Sequence, residues 1–201
     1  MSLSLNVWAI DLSYLGKMYG AAARDPRADS LREYVARALS HTDLDGRFAD
    51  EIAGGRFPRA VEALDAIMAG AYPIDASGVM YAYVCEVIVG VWGNAQPCNA
   101  LAPCGTELPE QVDAALESRG ITAFRLSTFT TGTLPLPLPR CDDFPGFGHM
   151  TNAQCRDALD QFGKVRFDGE SEPVRAAIDD ARGWLRATTR RKSTGLIGFF
   201  R

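Results

Sequence analysis

Leucine and proline alternate strictly from Leu134 to Pro139, and this run limits what can be built around it. Successive side chains of an extended strand point to opposite faces. The leucines therefore share one face and the prolines the other. The three missing N–H donors fall on one lateral edge, while Leu134, Leu136 and Leu138 remain able to pair on the other. Prolines so placed define a sheet edge strand, or a covering segment, closed to further pairing. The two-residue spacing does not fit polyproline II recognition, which presents PxxP on a three-residue turn.

The rest of the chain supplies periods for helices and strands. Residues 3–10 alternate, with Leu3, Leu5, Val7 and Ala9 on one face and Trp8 and Ile10 on the other, which predicts a strand buried on both sides. Asp11 is placed to cap a short helix reaching about Tyr19, with Leu12 and Leu15 inward. Residues 21–29 read as a loop. Ser30 and Glu33 have capping-box spacing ahead of Leu31, Val35 and Leu39. Thr42 is placed to cap a helix carrying Leu44, Phe48 and Ile52, and Pro58 to open another carrying Val61, Leu64 and Met68. Residues 77–92 are nearly all apolar and too long for an ordinary strand, so a central buried helix is expected. Glu86 is its lone formal charge, and a buried carboxylate there would need a partner or a raised pKa.

The second half changes texture. A loop rich in Pro, Asn and Cys covers 93–105, and a helix is predicted over about 107–118. Residues 121–126 read as a strand, 129–138 as a second extended segment, and 140–150 as an irregular loop. Thr151 and Gln154 form a second capping box, with Met150 and Cys155 at staple positions and Leu159 and Phe162 on the stripe. Ser171 starts the last helix, whose stripe is Val174, Ile178, Ala181 and Leu185. GLIGFF follows as a terminal strand. Strand, several helices, then mixed strands and helices make an α+β chain. The expected form is one domain over 1–201, with a mixed sheet holding the N- and C-terminal strands and packed by several helices.

Composition narrows function by exclusion. A net charge of −4 and a pI near 5.2 argue against a duplex nucleic-acid binder. Arg190, Arg191 and Lys192 follow a predicted helix, whose C-terminal dipole favours cations. The longest apolar run falls short of a bilayer span, and no secretory leader opens the sequence, so a cytoplasmic protein without a membrane partner is expected. Five cysteines, an odd number in that compartment, read as reduced thiols. There is no GxSxG elbow, HExxH pair, CxxC, Walker loop or dinucleotide fingerprint. No cofactor and no metal are expected. A zinc site drawing on Cys98, Cys104, Cys141, His149 and Cys155 would lack the tight ligand pairs such sites use.

Two histidines exist, His41 and His149. His149 is the better candidate for chemistry, because Cys141, Asp142 and Asp143 precede it in one loop. A Cys–His pair can activate a thiolate, and a carboxylate can orient the imidazole. Against this, Asp142 and Asp143 are adjacent and face opposite ways in an extended chain. Cys155 falls on an apolar stripe, where free cysteine acts as a small hydrophobe. The expected function is a non-catalytic binding or interaction module, regulatory or of immunity type, with another protein as partner and the oligomeric state left open. The alternative is a small hydrolase or transferase using Cys141, Asp142, Asp143 and His149.

Both ends carry a resemblance. The opening strand runs into Asp11 and a leucine-containing helix, and the chain closes with RGWLRA over Arg182–Ala187 and GFF over Gly198–Phe200. This combination resembles an actinobacterial-type bacterial family of small α+β proteins, a domain of unknown function. The resemblance implies a small α+β domain with an aromatic C-terminal strand. It brings no activity, substrate or catalytic residue with it.

Overall fold

Apolar periodicity fixes most elements where the sequence places them. The computed structural model describes residues 3–73, 75–141, 144–163 and 165–201. In chain order these hold β1 (Leu5–Asp11), α1 (Ser13–Met18), α2 (Ala28–Leu39), α3 (Leu44–Arg47), α4 (Ala49–Ala53), α5 (Ala60–Ala69) and α6 (Gly78–Trp92). After them come β2 (Asn94–Ala95), α7 (Leu108–Ser118), α8 (Thr128–Thr131), β3 (Gly146–Met150), α9 (Asn152–Phe162), α10 (Glu172–Thr188) and β4 (Thr194–Phe200). The class is α+β, as expected. Two compact units divide the chain: a sheet unit of Met1–Leu12, Gly93–Leu134 and Gly146–Arg201, and a helical unit of Ser13–Trp92 and Pro135–Pro145.

The sheet unit is built on the order β2-β1-β4-β3. The N- and C-terminal strands are neighbours, with Leu5 opposite Phe200 and Asp11 opposite Thr194. A mixed sheet was the expectation; every pairing among the described strands is antiparallel. One face presents Leu5, Val7, Ala9, Leu196, Phe200 and Met150 to a core completed by α7, α9 and α10. All four predicted positions of the α10 stripe, Val174, Ile178, Ala181 and Leu185, are buried, as are Ala177, Trp184 and Thr188 beside them. Within that core the Trp184 indole N–H donates to the Pro97 carbonyl at 2.5 Å.

The same face carries a lane without side chains. Gly148 pairs with Gly198, and Gly146 lies two residues before Gly148 on β3. The short helix α8 lies against this lane. A Cβ at Gly146 would strike the Thr130 carbonyl, one at Gly148 the Thr128 carbonyl, and one at Gly198 the Phe129 ring. Here glycine is required by close backbone approach rather than by turn geometry.

Several sequence expectations are corrected. Residues 121–126 are not a strand. Ile121 N–H donates back to the Leu116 carbonyl, and side chains take other donors: Thr122 and Ala123 N–H go to Gln161 Oε1, and Leu126 and the following Ser127 N–H to the Asp113 carboxylate. The loop expected over 140–150 contains β3, because Phe147 and His149 alternate with residues that find partners on β4. The extended segment expected over 129–138 begins inside α8, and residues 133–140 form no strand. Leu134 and Leu136 are nevertheless buried, and Leu138 is half-buried. The run therefore bends at Pro135 and Leu136 and is covered without a ladder, and the edges of the sheet are β2 and β3. The capping box at Thr151 is present, with the hydroxyl accepting from Gln154 N–H and the Thr151 N–H donating to Gln154 Oε1.

In the helical unit, α2, α5 and α6 pack on one another. They do so through Val35 and Leu39, through Ala63, Leu64, Ile67 and Met68, and through a wholly buried run from Gly78 to Glu86. The long apolar segment is the expected helix, and Glu86 is buried within it at 7% exposure. Helix α2 starts at Ala28, so Ser30 is inside it and does not cap it. The helix expected after Thr42 is split at Phe48 into α3 and α4. Thr42 itself turns back, its hydroxyl donating to the Leu39 carbonyl. Gly70 ends α5 with φ of 70°, a left-handed value that glycine adopts without strain. At the start of α6, the Gly78 N–H donates to the Arg140 carbonyl at 2.8 Å. The Pro139 and Arg140 carbonyls leave no room for a Cβ there.

Candidate functional site

His149 sits on β3, opposite Ile197 of β4. Its Nδ1 lies 2.6 Å from the Thr133 carbonyl. A carbonyl can only accept, so Nδ1 carries the proton and the neutral ring keeps Nε2 as its basic atom. The ring is thus oriented in the manner of a general base. Cys141 belongs to the helical unit, where its thiol donates to the Pro145 carbonyl at 3.8 Å. Cys141 and His149 therefore fall in different units. Asp142 and Asp143 lie outside the described residues.

The remaining thiols are set by burial. Cys155 is fully buried on α9, 3.9 Å from the Met150 carbonyl, and burial pushes its thiol up to about 11. Burial likewise pushes Cys98 up to about 11 and Cys85 on α6 up to about 12, and it raises Cys104. A thiol held above its ordinary value is protonated near neutrality and a poor nucleophile. Among the described residues, no three His, Cys, Asp or Glu side chains are grouped to hold a metal ion.

The helical unit contributes two features that periodicity does not show. A cavity of about 790 Å³ opens between Tyr19, Phe57, Tyr72, Ser77, Pro137 and Arg140. The hydroxyl of Tyr72 is buried beside it without a hydrogen-bond partner, and burial raises the phenol well above its ordinary value. Elsewhere Tyr14 of α1, Trp92 at the end of α6 and Tyr34 of α2 form a row of rings. Tyr14 and Trp92 are nearly parallel at 15° with centroids 6.3 Å apart, and Tyr34 lies 6.5 Å from Trp92. Lys17 Nζ sits 5.3 Å over the Tyr14 ring. Tyr14 is 45% exposed and Tyr34 54%, so the row is a surface and not a core. Tyr14 and Tyr34 lie off the inward positions of their helices, which marks them as outward-facing but not as neighbours of Trp92.

Beyond this geometry, the chain belongs to a family defined by a domain of unknown function, DUF7691, which matches residues 1–201. No curated protein and no solved structure matches it. No helix among the described residues is long and apolar enough to cross a membrane.

Proposed function

We propose that this chain is a bacterial, cytoplasmic binding module, regulatory or of immunity type, that acts without catalysis on another protein. The aromatic row of Tyr14, Trp92 and Tyr34 carries this reading. Tyrosine and tryptophan are enriched where proteins dock, because a large rigid ring covers area at little entropy cost. Two exposed rings braced on a third from three different helices make such a surface. The high thiol values at Cys85, Cys98, Cys104 and Cys155 agree with a protein that does not use these cysteines as nucleophiles.

The test is affinity capture with Tyr14→Ala/Tyr34→Ala against the unaltered protein. A partner retained by the unaltered chain should fall about tenfold in yield, with thermal stability little changed because both rings are exposed. Equal retention by both forms overturns the reading. A second reading, a small hydrolase or transferase, draws on the His149–Thr133 hydrogen bond, which leaves Nε2 basic. Turnover of an activated ester that His149→Gln and Cys141→Ser both abolish would establish it in place of the first.

A further inference from the structure

The strongest charge asymmetry of the molecule lies at the turn between α10 and β4. Six of the 21 cations and none of the 25 acids fall within residues 181–201. Arg186, Arg190, Arg191 and Lys192 are exposed. None of the four forms an ion pair among the described residues.

One side chain organises this turn. The Asn152 amide nitrogen lies 2.9 Å from the Thr188 carbonyl, 3.1 Å from that of Arg191 and 2.8 Å from that of Thr194. The opposite end of the same amide, Oδ1, accepts from Arg156 Nε at 2.9 Å. Asn152 therefore pins the backbone of the basic turn and holds a fifth cation, the Arg156 guanidinium of α9, in connection with it. The C-terminal dipole of α10 favours Arg186 and the cations just beyond it. It gives no reason for Arg156, which is the fifth of the eleven residues of α9 and so beyond the reach of either helix end.

We infer that this pinned turn is a docking surface for a carboxylate-rich segment of a partner protein, recognised by Arg156, Arg186, Arg190, Arg191 and Lys192. Guanidinium groups take carboxylates with paired N–H donors, and a turn already fixed by hydrogen bonds loses little freedom on binding. Duplex nucleic acid is the less favoured polyanion, because the chain as a whole carries a net charge of −4. The inference deepens the binding-module reading by giving the partner's chemistry. It stands on a surface other than the aromatic row, so either can fail alone.

The experiment is a fluorescence-anisotropy titration of the full chain with labelled decaglutamate. An oligothymidylate of equal charge, and vesicles of one part phosphatidylserine to three of phosphatidylcholine, serve as comparisons. Decaglutamate should bind, weaken as salt screens the charges, and lose about tenfold in affinity on Arg190→Glu/Arg191→Glu. Asn152→Ala keeps every cation yet should cost about threefold, because the turn is no longer held in the binding geometry. If that variant fails to fold, Arg156→Gln should show a similar loss. Absence of decaglutamate binding, indifference to charge reversal, or equal or tighter binding of the oligonucleotide or vesicles would each overturn the inference.

Discussion

The two units reach stability by different means. In the helical unit, apolar stripes on α2, α5 and α6 meet, and the information is spread over many buried side chains such as Val35, Leu64 and Val84. In the sheet unit, single residues carry connections that no stripe could make. Gly148 admits α8 onto the sheet, Asp113 holds the Leu126 and Ser127 N–H groups, and Gln161 holds those of Thr122 and Ala123. Distributed packing loses a little at each site; point anchors lose most of their contribution at once.

The contrast is broken most directly at the glycines. Gly148→Ala should destabilise by about 3 kcal/mol or more in a denaturant titration, because the obstacle is the Thr128 backbone and cannot rotate away. Gly16→Ala in α1 meets open space and should be neutral or stabilising by about 1 kcal/mol. Equal effects at the two positions would erase the distinction between the units.

A smaller effect is expected at Asp113. Asp113→Ala removes both acceptors of the turn after α7 and should cost about 2 kcal/mol, chiefly through partly buried donors left unsatisfied. Asp113→Asn, which keeps one acceptor oxygen, should recover part of the loss. A stability unchanged by the alanine exchange would show that water replaces the carboxylate.

Alkaline titration separates the units by their thiols. Cys85 in the helical unit and Cys155 in the sheet unit stay protonated up to about 12 and about 11 in the folded chain. An unfolded thiol ionises near 8.5. Between these values the native state binds more protons than the unfolded state, so stability falls as pH rises. Each thiol contributes a slope of about 1.4 kcal/mol per pH unit at most. The loss begins above about pH 8.5 and ends for Cys155 before Cys85. Cys85→Ala should leave a shallower slope; an unchanged slope would assign the alkaline loss to other groups.

Legibility in the sequence followed the range of the interactions. Helices α6, α9 and α10 were readable because caps and apolar patterns are local: the apolar run of 77–92, Thr151 with Gln154, and the stripe from Val174 to Leu185. Strand β3 was not, since GFGHM offers two glycines where strands prefer branched side chains. Its pairing depends on Leu196–Phe200, nearly fifty residues later. Residues 121–126 misled in the opposite direction, because only the fold reveals that Gln161 and Asp113 take their donors. For the candidate chemistry, the Cys141–His149 spacing was visible, but the division of the two residues between units was not. The basic turn was visible as composition; the grip of Asn152 on it comes only from three dimensions.

The glycine lane has a consequence for how this domain tolerates genetic change. Every amino-acid replacement of a glycine adds at least a Cβ. At Gly146, Gly148 and Gly198, therefore, no amino-acid replacement is conservative, since even alanine places an atom where α8 already lies. Saturation mutagenesis of the domain should find these three columns nearly empty, while the larger residues buried beside them accept exchanges of similar volume.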